Sequence, residues 1–153
     1  MKTVEIAVGS VYGGALALAT ALEHDLEAVG FNCRRHERSA LNVVRDPDSI
    51  LLVVTSTTGS GDLPEPIQPL LSGLIDTPPN IVGHHFAVIA LGDSSYGDTY
   101  CGGGRQLREA LLDIAASELV PMLLIDSMES DDPVSIGKSW LEANLQAFKA
   151  AAA

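Results

Sequence analysis

Three short stretches hold residue types suited to ligand chemistry, and all follow an apolar run with glycine and hydroxyl side chains. They are Gly9-Ser10-Val11-Tyr12-Gly13-Gly14-Ala15, Thr55 to Asp62, and Leu91 to Gly102. A glycine-bearing turn that opens a helix offers backbone N–H groups and the positive end of the helix dipole, so it suits an anion such as a phosphate. Ser10 and Tyr12 add hydroxyls. No Lys or Arg lies between Thr3 and Glu23, so a phosphate there would rest on neutral donors, as a nest of amides permits. The same turn would also serve merely to pack a helix on a sheet. Two familiar nucleotide loops are absent. There is no G-x-x-x-x-G-K-[ST], and Gly9, Gly13 and Gly14 do not fit G-x-G-x-x-G.

Other chemistry is sparse. No acid, base and nucleophile form a convincing constellation, so no catalytic residue is assigned. Cys33 and Cys101 lack metal-binding spacing and form no disulfide framework. His84 and His85 open a strand, where neighbours face opposite ways, so no metal site is expected. The net charge of −11 disfavours unassisted binding to nucleic acid or anionic lipid. It favours steering toward basic partners.

The elements that must position the three stretches are legible from periodicity. Thr3 to Val8 reads as a strand. Ala15, Leu18, Ala19, Leu22, Leu26 and Val29 share one helical face, and Gly30 ends that helix. Phe31 to His36 is a short strand whose Arg34 and Arg35 suit an edge. Ile50 to Thr55 is a strand buried on both faces. A short helix is expected over Ile67 to Leu74, after Pro64 and Pro66. Phe86 to Leu91 is a further buried strand, and Leu107, Ala110, Leu111 and Ile114 form a helical stripe. Leu119 to Ile125 is a fifth strand, marked as an edge by Pro121. Asp132-Pro133 starts the last helix, with Ile136, Gly137, Trp140, Leu141 and Phe148 inward.

Strands alternating with helices predict an α/β, three-layer, doubly wound five-stranded parallel sheet. The two edge strands are the second and fifth, which gives the order 2-1-3-4-5. The order reverses between the first and third strands, and ligands bind outside the carboxyl ends at such a switch. All three polar stretches start at those ends. The 153 residues are expected to form a single domain, 1–153. The uncharged run from Ile6 to Leu22 faintly suggests a leader or a membrane span. Glu5 and the glycines within it argue against both, so the chain is read as cytoplasmic.

Together the three stretches resemble the phosphate loop and the two ring loops of flavodoxins, in the right order at the right strand ends. The similarity runs from the first strand to the last helix and is greatest to the short-chain MioC type, which also resembles the flavin domains of diflavin reductases. The resemblance implies non-covalent FMN and electron transfer. It implies cofactor contacts at Ser10, Val11, Tyr12, Gly13, Gly14 and Ala15 for the phosphate, and at Ser56, Thr57, Thr58, Gly59, Ser60 and Gly61 for the ribityl chain and inner ring face. It implies further contacts at Leu91, Gly92, Asp93, Tyr96, Asp98, Tyr100 and Cys101 for the pyrimidine edge and outer face.

Gly59 is implied to carry the backbone carbonyl that turns toward the flavin on reduction, a motion glycine permits at little steric cost. Asp62, Glu65, Asp93 and Asp98 would disfavour a second negative charge on the ring. The implied partners are an NADPH-dependent flavodoxin reductase and acceptor enzymes with basic docking surfaces, met by a monomer.

Departures from the family pattern are visible. Thr58 stands where many flavodoxins have Trp, and Ala15 replaces a common hydroxyl residue, so FMN binding should be weakened. The spacing from Tyr96 to Cys101 is one residue longer than in many relatives, which leaves both Tyr96 and Tyr100 open as the stacking ring. The alternative is an FMN-dependent NAD(P)H or quinone reductase of the same fold, although the chain has no extra loop for a second substrate. A signalling receiver domain shares the strand order. However, Gly9-Ser10, Thr55-Ser56 and Asp126-Ser127 stand where its acidic cluster, aspartate and lysine would be.

Overall fold

The computed structural model describes residues 2–127 and 132–152, with Ser94, Ser95 and Tyr96 described for backbone alone. Among the described residues there are six strands and four α-helices. The strands are β1 (Thr3–Gly9), β2 (Asn32–His36), β3 (Ile50–Thr55), β4 (His85–Gly92), β5 (Ser117–Glu118) and β6 (Leu123–Asp126). The helices are α1 (Gly14–Ala28), α2 (Gln68–Asp76), α3 (Gly102–Asp113) and α4 (Pro133–Ala152). Short 3-10 segments cover Leu41–Val44, Glu65–Ile67 and Ser94–Thr99.

Every strand pairing is parallel, and the order is β2-β1-β3-β4-β5, with β6 also paired to β4. The central strands are apolar on both faces because helices cover both. Alternation along each strand sends its residues into two cores. Val4, Ile6, Val8, Ile50, Leu52, Val54, Ala87 and Ile89 pack with Leu18, Leu22, Leu26, Leu141 and Phe148 from α1 and α4. Ala7, Leu51, Val53, Phe86 and Val88 pack with Leu70, Leu74, Leu107 and Leu111 from α2 and α3.

Glu5 is the charged exception on β1, at 3% exposure. Its carboxylate is matched from the edge strand by His36 Nε2 at 2.7 Å and by the Arg34 guanidinium at 3.5 Å. This explains the polarity of β2. Its side chains compensate a buried carboxylate that would otherwise be strongly disfavoured.

The fifth strand departs from the continuous Leu119 to Ile125 expected from sequence. It arrives as two pieces, because Phe86 pairs with Glu118 but Ile89 pairs with Leu123. The edge therefore spends two extra residues across this span. Pro121 lies inside the break and has no N–H for a ladder bond. An edge tolerates such a bulge because no strand lies outside it.

Candidate functional site

The three stretches meet at the carboxyl ends of β1, β3 and β4. At their base, Ser56 N donates to the Gly9 carbonyl at 2.8 Å. A side chain at Gly9 could not be accommodated, since a Cβ would lie 2.3 Å from Thr55 Oγ1 and 2.7 Å from Ile67 Cγ2. The first two loops are thus stacked from their starting points.

The first loop enters α1 through Gly13, whose φ of 91° lies in the left-handed region. The Ser10 hydroxyl accepts from Gly13 N at 3.0 Å and closes the turn. Gly13 supplies no capping side chain, and the first turn of α1 has no acidic residue. The leading amides of α1 therefore have neither an intrahelical partner nor a carboxylate competing for them. A Cβ built at Gly13 or Gly14 meets nothing within 4 Å, so the loop borders open space. Tyr12 is 98% exposed and Val11 50%.

The second loop is a tight hairpin. Thr58 and Asp62 exchange N–H···O bonds of 2.7 and 2.8 Å across Gly59, Ser60 and Gly61. Gly59 has φ 51° and Gly61 φ 98°, a region costly for other residues.

The third loop passes through the 3-10 segment Ser94–Thr99 into α3. A Cβ at Gly102 would sit 2.7 Å from Gly61 Cα and 2.8 Å from Gly61 O. The loops therefore touch backbone to backbone. Gln106 Nε2 donates to the Gly61 carbonyl at 2.6 Å, and Gly103 N donates to Thr57 Oγ1 at 3.3 Å.

Between the loops lies a cavity of about 370 Å³, within the size range of small-molecule sites. Ten of the sequence-derived candidates line it: Tyr12, Gly14, Ser56, Thr57, Gly59, Leu91, Gly92, Asp93, Tyr100 and Cys101. Ser10, Val11 and Gly13 line a second cavity of about 380 Å³ at the first loop. Ala15, at the first residue after the α1 start, packs its side chain in the core. Thr58 closes the hairpin, Ser60 is exposed at its tip, and Gly61 is buried against Thr99 and Gly102. Asp98 is exposed and lines neither of these cavities. The Tyr96 side chain lies outside the described residues. Tyr100 is the described tyrosine of the third loop at the cavity, and Arg105 Nε donates to its carbonyl at 2.9 Å with the guanidinium 6.0 Å from the ring centroid.

Cys101 is fully buried, with φ 55° at the start of α3. Its thiol points to the Ala90 carbonyl at 3.5 Å. Burial pushes its pKa above the ordinary thiol value, against weaker opposite effects of Tyr100 and Arg105. That makes it a packed thiol rather than a nucleophile. Among the described residues no cluster of His, Cys, Asp and Glu is arranged to hold a metal. Also among them, no helix is long and apolar enough to cross a membrane.

Sequence reasoning missed several lining residues. Thr99, Ser127 and Pro133 complete the first cavity. Ser127 N donates to the Gly92 carbonyl at 2.8 Å, so the end of β6 forms a fourth wall. The neighbouring positions of the fourth and fifth strands were the available signal. Arg38 and Glu37 line the second cavity, although the first loop itself has no cation. The signal was the strand order, because residues just after β2 emerge beside the end of β1.

The arrangement is matched by known proteins. The flavodoxin family model matches residues 6–140. Flavodoxin YqcA of Escherichia coli strain K12 is 40% identical over 146 residues, covering 93% of this chain and 95% of its own. A MioC homolog of Haemophilus influenzae is 33% identical over 141 residues, covering 92% and 95%. The solved structure of a cysteine-to-alanine variant of a Pseudomonas aeruginosa flavodoxin superposes with a TM-score of 0.86 at 40% identity, covering 96% of this chain and 99% of that one.

Proposed function

The chain belongs to the flavodoxin family, and we propose that it is a small acidic electron carrier holding FMN non-covalently at the ends of β1, β3 and β4. Flavodoxins are FMN-binding electron carriers, and the finer assignment to this chain rests on its own residues. The observation that carries it is the single cavity of about 370 Å³ to which three separated loops each contribute.

The residues fit the group. The open space at Gly13 and Gly14 and the uncapped start of α1 suit a phosphate. Ser56 and Thr57 offer hydroxyls beside the cavity for a polyol chain. The backbone-to-backbone contact of Gly61 and Gly102 joins the second and third loops, whose Gly59, Asp93 and Tyr100 line the cavity. Tyr100 offers an aromatic face, and offset stacking of such faces contributes about 0.5–1.5 kcal/mol beyond burial.

When bound, FMN would supply the one-electron and two-electron redox chemistry, and the protein would set its exposure and charge environment. Asp93 lines the cavity, with Asp62 and Asp98 exposed on the same loops. These carboxylates oppose negative charge in the site and steer basic partners toward it. No general acid or base is needed. Gly59 would turn its backbone carbonyl toward the site to accept a hydrogen bond there, a motion that glycine permits at little steric cost.

The proposed donors and acceptors are an NADPH-dependent flavodoxin reductase and enzymes with basic docking surfaces. We propose residues 1–153 as one domain, since both cores share a single sheet. Free Cys33 and Cys101 suit the reducing cytoplasm.

Titrating FMN into the purified chain tests the reading. Quenched flavin fluorescence and a shifted absorption band are expected, followed by reduction and reoxidation under anaerobic conditions. Unchanged flavin spectra at saturating protein would refute FMN binding. Steady NAD(P)H-to-quinone turnover by the protein alone would replace the carrier with an enzyme.

A further inference from the structure

We propose that Arg38 supplies the cation missing from the phosphate loop and thereby sets a preference for FMN over riboflavin. This rests on the reading of the first loop as the phosphate end of the flavin site.

The first loop has no positive residue of its own, yet the strand order places the end of β2 beside it. Arg38 lies two residues beyond β2 and shares a cavity of about 380 Å³ with Ser10, Val11 and Gly13. Those are residues of the turn that closes on the start of α1. Arg38 pairs with Glu65 at 3.2 Å, with the two side chains 72% and 74% exposed. An ion pair in water holds its partners weakly. A phosphate monoester carries nearly two negative charges at neutral pH, and the guanidinium fork matches its oxygens in pairs. The phosphate is thus the stronger partner, and Glu65 is the ion it displaces. Glu65 in turn restrains affinity, as does Glu37, which lines the same cavity.

The test uses the full chain freed of flavin, titrated separately with FMN and riboflavin. Both Arg38 and Glu65 are exposed, so substitution leaves the core untouched. Arg38→Gln is expected to weaken FMN about two- to fivefold, the range of an exposed ion pair, and to leave riboflavin unchanged. The difference should vanish near about 1 M salt, where the screening length is about 3 Å. Glu65→Gln is expected to tighten FMN and not riboflavin. The inference is overturned if Arg38→Gln leaves FMN affinity intact, if both flavins weaken equally, or if Glu65→Gln weakens FMN. A wild-type chain that binds neither flavin would overturn the reading of the site itself, a separate outcome.

Discussion

Gly102→Ala places a single methyl group at the seam between the second and third loops. Its Cβ would lie 2.7 Å from Gly61 Cα, 2.8 Å from Gly61 O and 3.2 Å from Gly61 C. Carbon atoms rest comfortably at about 3.5–4.0 Å, so the two backbones must part by about 1 Å. No rotamer change relieves this, because all three nearest atoms are backbone. Gly61 is also pressed from its other side, where its own Cβ direction faces Thr99 Cβ at 3.2 Å. Moving it stretches the Gln106 bond to its carbonyl. Overpacking of this kind costs about 1–3 kcal/mol, offset by up to about 1 kcal/mol from replacing glycine in a helix. Global stability should therefore fall by no more than about 3 kcal/mol. Ligand binding should suffer directly, because the displaced hairpin holds Gly59 against the cavity. A displacement energy of about 1–2 kcal/mol corresponds to roughly a 5- to 30-fold loss of FMN affinity. Urea denaturation and flavin titration on the same variant separate the two effects. Wild-type FMN affinity in Gly102→Ala would refute the claim that this seam shapes the site.

Three further outcomes follow from the same geometry. Gly59→Ala should cost about 1–2 kcal/mol from its φ of 51° and lower the yield of one-electron-reduced flavin in an anaerobic titration; an unchanged yield would remove Gly59 from redox tuning. Burial, then Glu27 and Glu23, pushes the Cys33 thiol up to about 12, and burial raises Cys101 as well. Both folded pKa values exceed the unfolded ones, so stability is undiminished below about 9 and falls as pH rises above it, for Cys33 up to about 12. Alkylation at pH 8 should accordingly be much slower in the native protein than in urea, and equal rates would contradict this. His84 is held below its ordinary value of 6.5 by burial and then by His85. Its folded pKa is lowered, so the native state is fully favoured above 6.5 and loses stability as pH falls below it. His84→Asn should flatten that acid-side decline in the denaturation midpoint, and parallel profiles for both proteins would exclude the role.

Much of the scaffold was legible because each signal was local. Ile50 to Thr55 is apolar at every position, and a strand with both faces covered requires nothing else. Arg34 marked β2 as an edge, and its partner Glu5 explains why the charge is there. Pro121 marked the other edge. It did not reveal the bulge, because the register of an edge strand depends on how many of its neighbour's residues it must span. The site was legible as loops but not as surfaces. Ala15 is expected to act through its amide, and only the fold shows that its side chain turns into the core. Arg38 carries no local signal, because only the strand order brings it to the first loop. Nothing local in the run Gly102-Gly103-Gly104 signals packing. In fact all three are close-packed, with Gly104 facing Ala90 Cβ at 2.5 Å for a built Cβ.

These contacts divide the site into two unequal halves. The second and third loops are fixed to each other by the Gly61–Gly102 approach, the Gln106 and Gly103 hydrogen bonds and the Thr58–Asp62 pair. Their shape is set before any ligand arrives, and a preformed site loses less entropy on binding. The first loop is tied to them at its base, through Ser56 N and the Thr55 side chain on Gly9. Its outer part, Val11 and Tyr12, stands largely in solvent. On the proposed reading, ring recognition would depend on packing, where a methyl group matters. Phosphate recognition would depend on amides and charge, where salt and the Arg38–Glu65 pair matter. Substitutions at the seam should alter FMN and riboflavin binding alike, whereas substitutions around the first loop should separate them. That difference in ligand response, rather than affinity alone, distinguishes a site built in two parts from one that is uniformly rigid.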